Sequence, residues 1–329
     1  MSRAQGPDEL LSDAARRAIR YLATLYARDV APTPEAVAAL ARLDEPLPPG
    51  PCDPAEVLAL LDDIVSPATM GMAGRRFFGF VIGGALPATL AANWLAAAWD
   101  QNAAMARVTP GVARLEDVAL GWLKDLLGLP APTEGAFVTG ATVANRTALA
   151  AARHVVLARA GWNVEADGLF GAPPITVVVG EEAHPTLLKS LGLLGLGRTR
   201  LTRVPVDGAG RLRAEALPRL AGPTIICLQA GNVNTGAFDP FDAVCPAARD
   251  AGAWVHVDGA FGLWARAVPA YEQLAAGLEL ADSWATDAHK WLNVPTTAAS
   301  PPRARRARRR RRWRSRPSTC RPPEPSATR

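Results

Sequence analysis

The chain has 329 residues, 49% hydrophobic and 20% charged, an ordinary globular balance with room for one large or two ordinary domains. Its net charge of +5 hides an asymmetry: twelve arginines against one acid, Glu324, put +11 after Pro295 and leave −6 on the residues before it, which argues against a body-wide nucleic-acid surface. No apolar run reaches the roughly 18 residues of a membrane span, Met1 to Leu10 show no secretory h-region, and four scattered cysteines (Cys52, Cys227, Cys245, Cys320) lack the paired spacing of a disulfide framework or zinc site.

Residues 8 to 70 read as helices joined by Pro-rich connections. Leu10, Leu11, Ala14, Ala18 and Leu22 fall at helical spacing. Pro46-Leu-Pro-Pro-Gly-Pro51 reads as a rigid loop, and a helix from about Pro54 to Ile64 is predicted with Asp53 as N-cap and Pro54 at its first position.

From residue 71 to 295, short apolar runs alternate with helical stretches. The predicted strands are Ala136–Thr139, Ile175–Val179, Thr224–Leu228, Trp254–Val257 and Ser283–Thr286. The predicted helices are Thr142–Ala160, Pro185–Leu194, Ala214–Leu220, Phe241–Ala251 and Tyr271–Leu278. Continuous apolar strands separated by helices imply an α/β fold, its mostly parallel sheet covered on both faces.

Residues 296–329 change character abruptly. Ten arginines lie between Arg303 and Arg316, followed by Pro- and Ser-rich sequence without apolar periodicity. The segment reads either as a basic tail for nucleic acid or as the product of a shifted frame in GC-rich DNA. The second reading is preferred, because the change falls where folded sequence should continue.

Four places carry candidate chemistry. Lys290 follows an apolar strand in Thr286-Asp-Ala-His-Lys-Trp291. Asp258 ends the run Trp254-Val-His-Val-Asp258, in which Trp254, His256 and Asp258 share one face of a strand. It reads as a turn aspartate, or as a carboxylate at the carboxyl end of a parallel strand, where open α/β sheets bind ligands. Thr139-Gly-Ala-Thr142 joins a strand to a long helix, as an ordinary turn or as an anion site at the helix N-terminus. His184 precedes Pro185, as a structural residue or as a ring presented to a planar ligand.

These motifs, His-Val-Asp-Gly-Ala at 256–260 and Asp-Ala-His-Lys-Trp at 287–291 above all, resemble the group II pyridoxal-phosphate decarboxylases of amino acids. Phe77-Phe-Gly-Phe80 and Trp99-Asp-Gln-Asn102 resemble that family's substrate-side region. The resemblance implies a fold-type I architecture with pyridoxal 5'-phosphate as cofactor. It implies decarboxylation of a small-molecule L-amino acid by a cytoplasmic homodimer with no membrane partner. Lys290 would hold the cofactor through a Schiff base, Asp258 would pair with its pyridine nitrogen, and His184 would stack on the ring. Ala141 and Thr142 would hold the phosphate, with Ala260, Asn232 and His289 near the cofactor; no metal is implied.

The implied organisation is an N-terminal helical segment over 1–70, a cofactor-binding domain over 71–295 that is incomplete at its C-terminal end, and an Arg- and Pro-rich tail over 296–329. Two departures stand out. Asp287 occupies a position where some family members carry a phosphate-binding Asn, so it is given no phosphate contact. The further strand, mobile loop and small C-terminal domain expected after Pro295 are not recognisable in the tail. The resulting expectation is that the chain as written folds poorly and has little decarboxylase activity. Transamination on the same framework, an inactive product and nucleic-acid binding through the tail are the alternatives, the last the weakest. Trp94, Trp99 and Phe77–Phe80 read as an aromatic pocket or as core.

Overall fold

Proline and short polar side chains start the N-terminal helices. The computed structural model describes residues 6–102 and 105–295. Helix α1 (Pro7–Thr24) opens with Pro7, Asp8 and Glu9, a proline and two acids at the positive end of the helix. Thr33 caps α2 (Pro34–Ala39) by accepting the Ala36 N–H at 3.2 Å. Asp53 caps α3 (Pro54–Leu60) by accepting the Ala55 N–H at 2.8 Å, and a π-helical turn over Leu61–Val65 prolongs it through the predicted end. Arg17 and Arg20 of α1 both reach Asp62 in that turn, clamping the two helices together. Two longer helices follow, α4 (Pro87–Trp99) and α5 (Pro110–Leu126).

The α/β body begins with α6 (Ala141–Arg159), entered through Gly140 at φ 136°, a conformation that glycine adopts freely. There follow α7 (Val164–Asp167), β1 (Thr176–Gly180), α8 (Pro185–Leu193), β2 (Thr202–Val204), β3 (Thr224–Gln229), α9 (Phe241–Asp250), β4 (Trp254–Asp258), β5 (Ser283–Ala285) and α10 (Ala288–Trp291). The five strands form one sheet in the order β2-β1-β3-β4-β5, every pairing parallel. Gln229 of β3 and Ala285 of β5 flank Asp258 of β4 in register, so all three mark the carboxyl edge of the sheet.

Alternate residues of each strand feed two cores. On one face Val177, Val179, Ile225, Cys227 and Trp254 pack against Leu149, Ala152 and Val156 of α6 and Leu187 and Leu191 of α8. On the other, Val178, Ile226, Leu228, Val255, Val257 and Trp284 pack with Phe241, Val244 and Ala248 of α9. Burial on both faces explains why these strands read as unbroken apolar runs.

Three expectations need correction. Among the described residues Ala136–Thr139 forms no strand: only Val138 is bridged, and the Phe137 N–H donates to Glu116 Oε1 at 2.9 Å. Ala214–Leu220 yields a single 3₁₀ turn over Ala214–Ala216, because Pro218 drives Leu217 out of the helical region, to ψ 135°. Tyr271–Leu278 breaks into two 3₁₀ turns, Glu272–Ala275 and Leu278–Leu280, divided by Gly277 at φ 80°. Strand β2 falls outside the predicted strands, because Thr202 and the exposed Arg203 leave it no apolar run. Among the described residues no helix is long and apolar enough to cross a membrane. The Arg-rich segment 296–329 lies outside the described residues.

Candidate active site

Lys290 is brought to Asp258 by the loops that leave β4 and β5. The Asp287 N–H donates to the Ala260 carbonyl at 2.9 Å, and the Trp264 indole N–H donates to the Asp287 carbonyl at 3.1 Å. These bonds seat α10, with Lys290, beside the end of β4. A cavity of about 240 Å³ opens there, with Ala141, His184, Asp258, Ala260 and Lys290 in its wall. Five of the residues singled out in the sequence therefore converge at one place on the carboxyl edge of the sheet.

Asp258 is buried. Its Oδ2 accepts from Asn145 Nδ2 at 3.2 Å and its Oδ1 accepts from the Ala260 N–H at 3.3 Å. Burial pushes this carboxyl above the ordinary carboxylate range, while His184, the Asn145 amide, Lys290 and the Ala260 N–H pull it back. His184 sits at the N-cap of α8, where its Nδ1 meets the Thr186 hydroxyl at 2.7 Å and accepts the Thr186 N–H at 3.3 Å. That fixes the ring at the cavity wall. Lys290 Nζ lies 3.4 Å from Asp287 Oδ2 and 5.6 Å from the centre of the Phe261 ring. Asp287 is itself buried and in the cavity wall, so its charge is turned towards Lys290.

The other three predicted residues stand apart. Asn232 spends its side chain on its own loop: its Oδ1 accepts from Asn234 N–H at 2.9 Å and its Nδ2 donates to Glu182 Oε2 at 2.8 Å. Thr142 lies one residue inside α6, behind Ala141, and is not in the cavity wall. His289 points to Asp287, Nδ1 to Oδ1 3.8 Å, and burial lowers its pKa.

Sequence reasoning did not single out Thr186, Gln229, Gly231, Val233 or Phe261, which also line the cavity. Gln229 was within reach, since it ends β3 as Asp258 ends β4. The aromatic residues 78, 94 and 99 are exposed and so are not core, whereas Phe80 reaches the cavity. Phe80 and Val81 both have positive φ, 58° and 53°, a strained conformation for a β-branched residue, placed at the cavity mouth.

Known proteins resemble this chain in sequence and in fold. Residues 40–300 match the pyridoxal-dependent decarboxylase conserved domain. The chain belongs to this family. It is 28% identical to the aromatic-L-amino-acid decarboxylase of Bacillus atrophaeus, a match covering 77% of this chain and 52% of the relative. It is 30% identical to tryptophan decarboxylase 1 of Oryza sativa subsp. japonica, over 69% of this chain and 48% of that protein. The chain thus spans about half the length of these curated relatives. The crystal structure of mouse CSAD in apo form superposes with a TM-score of 0.82 at 24% identity, over 91% of this chain and 64% of that one. Oryza sativa TDC with PLP and tryptamine superposes at 0.81 and 24%, over 93% and 65%. The fold is that of the fold-type I pyridoxal-phosphate decarboxylases.

The side chains present suit pyridoxal phosphate. A lysine amine matches its aldehyde, and a buried carboxylate matches a protonated ring nitrogen. The N-terminus of the 19-residue helix α6, which has no side-chain cap, matches its phosphate. Ala141, Gly231 and Ala260 contribute small residues to the cavity wall.

Proposed function

We propose that this chain is the cofactor-binding part of an enzyme that decarboxylates an L-amino acid, with pyridoxal phosphate held by Lys290. The observation that carries the reading is the convergence of the Lys290 amine and the Asp258 carboxylate on one cavity at the carboxyl edge of the sheet. When bound, pyridoxal phosphate supplies an electron sink for the electron pair left behind as carbon dioxide departs.

The chain's own residues do the rest. Asp258 holds a proton at the ring nitrogen by placing a negative charge beside it. Lys290 would hold the cofactor through its side-chain amine, which faces the cavity. Asp287 provides the ammonium form of Lys290 with a counter-charge. Ala141, with Thr142 next to it in α6, would hold the phosphate, and His184 and Ala260 would bound the ring. Asn232 and His289 act one layer out, through Glu182 and Asp287.

The same reading divides the chain into a helical segment over 1–70, a cofactor domain over 71–295 and the Arg-rich remainder. It also makes the protein a cytoplasmic homodimer. Exposed apolar side chains on the N-terminal helices, among them Leu11, Ile19, Trp94 and Trp99, support a second copy covering them.

The test is to add pyridoxal phosphate to the purified chain, record the visible absorption, reduce with borohydride and map the label by mass spectrometry. Label on Lys290 is expected, and its loss in Lys290→Ala. A folded protein that takes up no label would refute the reading. Release of carbon dioxide from amino acids, measured against formation of keto acid, separates decarboxylation from transamination.

A further inference from the structure

A line of buried polar side chains runs behind Asp258, away from the cavity. The Trp254 indole N–H meets Ser283 Oγ at 2.9 Å, and the same Oγ lies 2.9 Å from His256 Nδ1. His256 Nε2 is 2.9 Å from Asn145 Oδ1, and Asn145 Nδ2 is 3.2 Å from Asp258 Oδ2. All five residues are buried.

With Asp258 ionised, the direction of every bond is fixed from the two ends. An indole nitrogen only donates and an ionised carboxylate only accepts. Asn145 must therefore turn its NH₂ to Asp258 and its carbonyl to His256, so His256 Nε2 carries a hydrogen. A neutral imidazole then has a bare Nδ1, which accepts the Ser283 hydroxyl, and that hydroxyl oxygen accepts from Trp254. No donor faces a donor anywhere along the line.

We propose that Asn145 and His256 are positioning residues for Asp258: this hydrogen-bonded line holds its carboxylate in one orientation at the cavity and stabilises its ionised form. The proposal rests on Asp258 serving pyridoxal phosphate as described above. Three elements meet to make it: α6 supplies Asn145, β4 supplies His256 and Asp258, and β5 supplies Ser283. His256 suits the task because burial pushes its pKa down to about 3, so it does not gain a second proton near neutral pH. The other ionisable groups facing Asp258 are His184 and Lys290 from the cavity and Cys227 from β3.

Two measurements test it, one without the cofactor. In the unloaded protein, nitrogen-15 NMR of labelled histidine is expected to show His256 as the neutral Nε2–H form at pH 7. Carbon-13 NMR of the Asp258 carboxyl is expected to show an upward-shifted titration midpoint in Asn145→Leu and His256→Phe. His256→Gln, whose amide can still donate to Asn145, should restore the midpoint most of the way. In the loaded protein, the two disrupting variants should still label at Lys290 with borohydride. They should bind pyridoxal phosphate about tenfold or more weakly, the loss expected for one hydrogen bond to a buried charge. An Nδ1–H tautomer, or folded variants with unchanged Asp258 midpoints, overturns the relay even if the cofactor binds normally. A parent protein with the expected NMR signature but no label at Lys290 retains the hydrogen-bonded line and overturns its proposed service to the cofactor.

Discussion

Gly83 lies against the backbone of Lys290: a Cβ at Gly83 would collide with the Lys290 carbonyl oxygen. The two residues are far apart in sequence, yet the segment before α4 is stitched to α10 throughout. The Gly83 N–H donates to the His289 carbonyl at 3.2 Å. The Leu86 N–H and the Thr89 hydroxyl both reach the Asn293 carbonyl, at 2.9 and 2.8 Å, and the Asn293 amide returns to the Gly83 carbonyl. The N-terminal part of the chain thereby helps to set where Lys290 stands.

Gly83→Ala should therefore act on the site without touching the cavity. The obstructing atom is backbone, which cannot swing away as a flexible side chain does, and such overpacking costs about 1–3 kcal/mol. The expected result is a lower melting temperature together with weaker pyridoxal phosphate binding. Gly50→Ala, with open space around its added carbon, is the control and should leave both unchanged. Equal behaviour of the two variants would count against the clasp.

Asp258→Asn keeps the shape of the side chain and removes its charge. Its new NH₂ must face one of two donors, Asn145 Nδ2 or the Ala260 N–H, so the protein should melt lower but stay folded and still label at Lys290. The absorption of the bound cofactor should change its pH dependence, because nothing remains to hold a proton on the ring nitrogen. A spectrum identical to the parent's across pH 6 to 9 (a range on the order of the usual working window) would remove Asp258 from the proposed role.

His256 gives a stability prediction with a definite sign. Its folded pKa, about 3, lies below the ordinary 6.5, so the unfolded chain binds the proton more readily. Its contribution is complete above about pH 6.5 and is lost as pH falls towards 3. The stability advantage of the parent over His256→Gln should shrink across that window. Denaturant melts at pH 7, 5.5 and 4.5 on both proteins measure it; an advantage that grows on acidification would be the wrong sign.

Asp239 is a structural carboxylate beside the active-site strands. Its Oδ1 accepts the Leu212 N–H at 2.7 Å and its Oδ2 accepts the Gln229 N–H at 2.6 Å, and burial pushes its pKa up to about 6. Both oxygens are needed as acceptors. Asp239→Asn would present an NH₂ to one of two buried donors, so it should destabilise much as Asp239→Ala does, by about 1–3 kcal/mol. Urea melts that find the Asn variant as stable as the parent would show that only one of the bonds matters.

Much of this architecture was legible in the residues alone. Trp254–Val257 and Thr224–Leu228 are buried on both faces, so their apolar runs are continuous and stand out without any structure. Pro185 and Gly140 mark the starts of α8 and α6 through backbone constraints that act locally. The motifs around Asp258 and Lys290 named the two groups that meet at the cavity, because each motif lies within a few residues of a strand end.

What the sequence did not reveal depends on partners far away in the chain. Whether Ala136–Thr139 becomes a strand is decided by what lies beside it, and Glu116 takes the Phe137 N–H. Asn145 looks like any polar residue in a helix until α6 packs on β4 and turns it between His256 and Asp258. Motif order places Asn232 near the cofactor, but its side chain is taken up by Glu182 and its own loop. Local propensity and spacing set the elements and their order. The orientation of a buried polar group is set by the donors and acceptors that packing brings to it, and those come from elements tens to hundreds of residues away.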